Sequence, residues 1–166
     1  VLAFASDDDF AAECHELRRQ TGNTASPFNA WLVLRGLRTL PVRVERHCRN
    51  AQAVAEFLRT QARVEAVHYP GLDTHPAHAL AARQMRGGFG GMLSFEVAGG
   101  REAALEVAGR LRLFTNATSL GSTESLVEHR ASIEGAQSTS PPGLLRLSVG
   151  LEDPQDLIDD LAQALG

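Results

Sequence analysis

Apolar and polar residues alternate, with one adjacent apolar pair in each run, in Val64-Glu65-Ala66-Val67-His68-Tyr69 and again in Met92-Leu93-Ser94-Phe95-Glu96-Val97. That is the period of a strand with one face on a core, and the runs stop at Pro70-Gly71 and Gly99-Gly100, both turn-forming pairs. A third alternation runs from Leu144 to Val149. Leu145, Leu147 and Val149 point one way; Leu144, Arg146 and Ser148 point the other. Elsewhere the spacing is helical. Phe10, Cys14 and Leu17 follow an aspartate run, and Ala103, Ala104, Val107, Ala108 and Leu111 share one stripe. Ser26-Pro27 reads as an N-cap with proline in the first turn, opening a stretch from Phe28 to Leu37 that is apolar on most sides. Pro41 kinks or restarts the helix. Beyond it Val44, Cys48, Ala51, Ala55 and Leu58 keep one apolar stripe, with Arg43, Glu45, Arg46, Arg49 and Glu56 as its wet face. Asp153-Pro154 caps a closing helix that carries Leu157, Ile158, Leu161 and Leu165. Strands interleaved with helices predict an α/β or α+β domain, a small mixed or antiparallel sheet with helices packed on it. Val1-Leu2-Ala3-Phe4 reads as the tail of a strand without a nearby partner, so the chain is expected to be part of something longer.

Composition narrows the function classes. At 166 residues and 43% hydrophobic the chain can bury a core of its own. A net charge of -4 gives nucleic acid or an anionic membrane nothing to hold, and no apolar run is long enough to span a bilayer. Cys14 and Cys48 are far apart and lack a CxxC spacing, so both are expected as reduced thiols in a cytoplasmic protein. All sixteen basic side chains are arginine. Without lysine this chain can build neither a Schiff base with an aldehyde cofactor nor a P-loop.

Some groupings have simpler explanations than chemistry. Gly87-Gly88-Phe89-Gly90-Gly91 resembles a phosphate cradle but runs into a strand, so a permissive turn is expected. His75 and His78 lack further metal ligands of the right type nearby, and surface positions are expected. His15, His47 and His68 are expected in solvated or hydrogen-bonded roles. Glu124, Glu128, His129 and Arg130 read as loop charges, and the Ser/Thr/Pro/Gly-rich stretch from Glu134 to Gly143 as the most flexible loop. Arg146 stands apart, because a core-anchored strand holds it rigidly. A fixed guanidinium matches a carboxylate in two parallel hydrogen bonds.

Longer stretches carry a resemblance. The run Ser26-Pro27-Phe28-Asn29-Ala30-Trp31-Leu32-Val33-Leu34-Arg35-Gly36-Leu37-Arg38-Thr39-Leu40 resembles the Cys/Met-metabolism family of pyridoxal-phosphate enzymes. So do Glu45-Arg46-His47-Cys48, Val67-His68-Tyr69-Pro70-Gly71-Leu72 and Gly90-Gly91-Met92-Leu93-Ser94-Phe95. Ser119-Leu120-Gly121, Glu124-Ser125-Leu126 and Arg146-Leu147-Ser148-Val149-Gly150 complete the series in order. The family includes cystathionine γ-synthase, cystathionine lyases, methionine γ-lyase and homoserine sulfhydrylases.

The resemblance implies the C-terminal small domain of a fold-type I enzyme of trans-sulfuration, a lyase or γ-replacement transferase. It implies that Arg146 binds the substrate α-carboxylate, and that Ser119, flanked by Thr118 and Leu120, contacts the substrate. The Schiff-base lysine and the other pyridoxal 5'-phosphate contacts would lie upstream of Val1. Residues 1–25 are then a remnant of the large domain, 26–62 an interdomain helical region, and 63–166 the substrate-binding small domain. Implied partners are the amino-acid substrate, the upstream large domain and further copies of the chain, a tetramer in the family. Thr118 departs from the glutamate that precedes S-L-G in many cystathionine-processing members. Ile133-Glu134-Gly135 replaces a Thr-His pair and a longer loop found in many relatives, and lyase and replacement activities both stay open. A free-standing, non-catalytic amino-acid-binding or interaction module built on the same domain is the rival reading.

Overall fold

The computed structural model describes residues 9–166. The strand expected at Val1–Phe4 lies outside them. The chain divides into two compact units, Val1–Leu40 and Pro41–Gly166.

In the first unit, helix α1 spans Asp9–Thr21 and helix α2 spans Pro27–Leu37. Ser26 caps α2 as its sequence predicts, its hydroxyl accepting from the Asn29 amide at 3.2 Å. No residue of α2 is buried, and Phe28, Trp31, Val33 and Leu37 are each more than half exposed. The all-round apolar surface of this helix is therefore real and uncovered.

The second unit is built on a five-stranded mixed sheet. Its strands are β1 (Val64–His68), β2 (Met92–Val97), β3 (Thr115–Asn116), β4 (Leu126–His129) and β5 (Leu144–Ser148), in the spatial order β1-β2-β5-β4-β3. All neighbours are antiparallel except β3 and β4, which run parallel. Helices α3 (Leu40–Leu58), α5 (Gly100–Arg110) and α7 (Pro154–Leu165) send apolar residues into the same core as the strands. Ala51, Val54 and Leu58 join Val107, Leu157 and Leu161 there, with Phe95, Val127, Leu145 and Leu147 from the sheet. Two short helices, α4 (His78–Gln84) and α6 (Arg130–Glu134), complete the unit with a 3-10 turn at Gly135–Gln137.

Most elements follow from local chemistry. Pro41 restarts a helix after the turn at Arg38–Thr39, because proline costs nothing where amides have no intrahelical partner. The alternations of β2 and β5 put Leu93, Phe95, Leu145 and Leu147 in the core. Asp153 caps α7, its carboxylate accepting from the Gln155 amide at 2.9 Å.

Three expectations need correction. The α3 stripe is narrower than its spacing suggests: Val44 is 45% exposed, and burial starts at His47. Arg46 is not merely part of a wet face, for its guanidinium donates to the Glu152 carbonyl at 2.9 Å. Asn50 donates to the Gly150 and Glu152 carbonyls at 3.0 and 2.9 Å, so α3 grips the segment that follows β5. Last, Glu128 and His129 are not loop charges. Both lie on β4, where all four residues are buried, and Arg130 opens α6.

Candidate functional site

The register of the sheet builds the site. Arg146 on β5 pairs with Ser94 on β2 on one side and with Glu128 on β4 on the other. The three residues therefore share the sheet face opposite Phe95, Leu145, Leu147 and Val127, which fill the core. Cross-strand pairing alone brings a guanidinium against a carboxylate. Arg146 Nη2 lies 2.9 Å from Glu128 Oε2.

Glu128 is almost wholly enclosed, with 2% of its side chain exposed. Its Oε1 accepts from Arg130 Nη1 at 2.6 Å, whereas Oε2 has no aligned hydrogen-bond donor. The Arg146 contact is thus an ion pair without hydrogen-bond geometry. Arg130 also donates to Glu134 at 2.6 Å. Four charges in a row, Arg146, Glu128, Arg130 and Glu134, alternate in sign.

The Ser119-Leu120-Gly121 segment reaches this face from the connection between β3 and β4. Arg146 Nη2 donates to the Ser119 carbonyl at 3.2 Å, and Ser148 Oγ accepts from the Gly121 amide at 3.0 Å. These two anchors explain why Ser148, on the same face as Arg146, is buried. Ser119 has φ 138°, the sole positive value for a non-glycine residue among the described residues. Such backbone costs about 1–3 kcal/mol and persists where surroundings hold it. Here the bond to Arg146 and the anchoring of Gly121 do so. Thr118, Ser119 and Leu120 are exposed, and Arg146 keeps about a quarter of its side chain exposed.

The end of β5 is fixed from behind. Gly150 donates its amide to Ser125 Oγ at 2.8 Å, and Glu152 accepts from the Ser125 amide and hydroxyl at 2.7 and 2.9 Å. A Cβ at position 150 would collide with the Thr123 carbonyl, so only glycine fits this crossing. His47 Nδ1 sits 2.7 Å from the Val149 carbonyl. The strand that carries Arg146 is therefore immobilised by polar contacts at its C-terminal end and by Leu145, Leu147 and Val149 along its length.

The glycine run 87–91 is irregular chain leading into β2. His75 Nδ1 accepts from the Ala77 amide, His78 Nδ1 lies 2.7 Å from the Pro70 carbonyl, and no metal-ligand cluster occurs among the described residues. His68 pairs with Glu96 at 2.7 Å. The 134–143 loop is bonded to itself: the Ser138 and Ser140 hydroxyls donate to Glu134 Oε2 at 2.6 and 2.7 Å. Those bonds and Arg130 hold the Glu134 carboxyl at a pKa of about 2. Tyr69 donates to the Gly90 carbonyl at 3.0 Å, and its phenol pKa is pushed up by burial and by nearby Cys48. Glu128 is the residue that reading along the chain missed. Nothing local marks it, since its partner is brought to it by sheet register 18 positions away.

A guanidinium on a rigid strand, beside a strained serine loop, can orient a small carboxylate. Comparison with known proteins gives the class. The family model for Cys/Met metabolism PLP-dependent enzymes matches residues 1–166, so the chain belongs to that family. It is 49% identical over 166 residues to a cystathionine gamma-synthase of Mycobacterium tuberculosis, covering 97% of this chain and 42% of that protein. An L-methionine gamma-lyase of Fusobacterium nucleatum is 45% identical over 157 residues, covering 90% of this chain and 40% of that protein. Among solved structures, metB from Corynebacterium glutamicum superimposes with a TM-score of 0.87 at 45% identity, over 96% of this chain and 43% of its own. The chain thus spans about two fifths of the length of these relatives.

Proposed function

We propose that this chain forms the substrate-carboxylate-handling part of a pyridoxal-phosphate-dependent lyase or γ-replacement transferase of sulfur amino-acid metabolism. One observation carries the reading: Arg146 stands on an immobilised strand with its guanidinium donating to the Ser119 carbonyl, while Ser148 of the same strand holds the Gly121 amide. The chain contains no lysine, so its residues fit the substrate's carboxylate and not the covalent seat of the cofactor. That seat belongs to a larger domain upstream, of which residues 1–25 are the remnant, with 26–62 connecting it to the 63–166 small domain.

In the complete enzyme the cofactor, when bound, would supply the electron sink that lets protons leave Cα and Cβ and so allows the γ-substituent to depart. Arg146 fixes the α-carboxylate, and Ser119 with its neighbours Thr118 and Leu120 contacts the substrate. Holding the carboxylate sets which bond of the substrate stands perpendicular to the cofactor plane, a positional effect on rate rather than a chemical one. Thr118 offers no charge to a distal ammonium group, which favours substrates with a small or neutral γ-substituent over cystathionine. The assembled enzyme is a homo-oligomer working in the cytoplasm.

The test is Arg146→Lys in the complete enzyme. Lysine keeps the charge and loses the fork, and a charge-assisted hydrogen bond contributes about 1.5–3 kcal/mol. Binding of substrate and of carboxylate inhibitors should weaken by that amount, with some loss of kcat and an unchanged fold. Unaltered kcat/KM, or an unfolded protein, would make Arg146 a structural residue and overturn the proposal.

A further inference from the structure

The contact between Arg146 and Glu128 occupies a guanidinium nitrogen that an incoming carboxylate would need. A guanidinium can meet a carboxylate with two hydrogen bonds end-on, through Nη1 and Nη2, or side-on, through Nε and Nη2. Both modes use Nη2. That nitrogen already donates to the Ser119 carbonyl at 3.2 Å and lies 2.9 Å from Glu128 Oε2. Glu128 Oε2 is buried without an aligned donor, while Oε1 is firmly held by Arg130 at 2.6 Å. An enclosed carboxylate with one oxygen well anchored and the other in an unaligned ion pair is a group held ready to give up the weaker contact.

We propose that Glu128 is a positioning residue that serves Arg146 as an internal counter-ion and yields Nη2 to the incoming substrate carboxylate. The inference rests on the carboxylate role of Arg146 proposed above. Before substrate binds, Glu128 aims the guanidinium and balances its charge. On binding, the substrate carboxylate takes the place of Oε2 at Nη2, while Oε1 keeps its bond to Arg130. Arg130 is itself tied to Glu134, so the anchor does not follow. With substrate in place, two arginines face three carboxylates, and the charge of Glu128 works against binding as its geometry works for orientation.

These two effects separate in kinetics. In the complete holoenzyme, Glu128→Gln should tighten competitive inhibition by propionate, a carboxylate without an amino group, at least threefold. KM for the amino-acid substrate should fall with it, and kcat should fall as well, because Arg146 is aimed less firmly. Glu128→Asp, which restores the charge, should return the propionate Ki toward that of the parent enzyme. In an Arg146→Lys background the effect of Glu128→Gln on Ki should largely vanish. An unchanged or raised Ki in a folded Glu128→Gln enzyme would overturn the proposal while leaving the role of Arg146 intact. If Arg146→Lys by itself leaves Ki and KM untouched, the carboxylate reading fails and the proposal with it. Should the glutamine variant not fold, the parent enzyme crystallised with propionate decides: Glu128 Oε2 beyond 4 Å from Arg146 Nη2, with the Arg130 bond kept, supports the exchange, and an unbroken 2.9 Å contact overturns it.

Discussion

Charge pairs at two depths show how burial sets what a residue can do. Glu134 and Glu128 both bind Arg130, yet Glu134 is on the surface with two serine hydroxyls, and Glu128 is enclosed between two arginines. The Glu134 carboxyl, at about 2 when folded, titrates well below an unperturbed glutamate. Between the two values the unfolded chain binds more protons than the folded one, so this contribution is present above the ordinary glutamate range and is lost as pH falls toward about 2. Acid titration of stability should therefore be shallower in that window for Glu134→Gln than for the parent, as followed by denaturant midpoints at each pH. Equal slopes would show that the serine cluster is exchanged for water at no cost. Asp160 makes a different use of a buried carboxylate. It accepts from the backbone amides of Arg112 and Leu113 at 2.9 and 2.8 Å and so fixes the turn after α5.

Among the elements, β5 joins the core to the site. Its odd-numbered residues are wholly buried, and its even-numbered face carries Arg146 between Ser94 and Glu128. A one-residue slip of this strand would exchange Arg146 with a leucine, so the burial of Leu145 and Leu147 is what specifies the chemistry. Leu147→Ala should cost about 2–5 kcal/mol, as for other large-to-small changes in close-packed cores. Chemical denaturation reads that loss directly. In the proposed complete enzyme, substrate affinity under folding conditions should change far less than for Arg146→Lys, because Leu145 and Val149 stay buried and still hold the register. A Leu147→Ala enzyme that is stable but has lost its substrate affinity would mean that Leu147 alone, rather than the buried face as a whole, aims Arg146.

At the scale of the whole chain, the uncovered apolar surface of α1 and α2 dominates. Phe10, Leu17, Phe28, Trp31, Val33 and Leu37 are all more than half exposed, far more apolar surface than a soluble monomer ordinarily presents. A 166-residue chain with this surface should associate with itself or precipitate as its concentration rises. Sedimentation velocity across a hundredfold range of concentration checks this, and a monodisperse monomer throughout would contradict it. Replacing Trp31 and Val33 together with glutamate should shift the distribution toward monomer. No helix among the described residues is long and apolar enough to cross a membrane, so this surface is not a span.

The local chemistry of the chain determined most elements by itself. The caps at Ser26 and Asp153, the restart at Pro41 and the alternations of β1, β2 and β5 each depend on neighbours within a few positions, and all stand where their residues place them. Family membership was also legible, because its motifs run in order along the chain. Strand β4 was not. Leu126-Val127-Glu128-His129 is buried on both faces, so it carries no alternation, and its two polar residues suggest exposure. His129 is satisfied by the Pro142 carbonyl and Ser132, and Glu128 is hydrogen-bonded by Arg130 on α6 and ion-paired with Arg146 on β5, none of which the local pattern reveals. Likewise Arg146 could be recognised as a rigid guanidinium from its strand, but only the pairing of β4 with β5 decided that a carboxylate stands 2.9 Å from it. Caps and periodicity are short-range and written in the residues themselves, whereas a contact between strands is set by which sheet order and register bury the most apolar surface, a property of the folded chain as a whole.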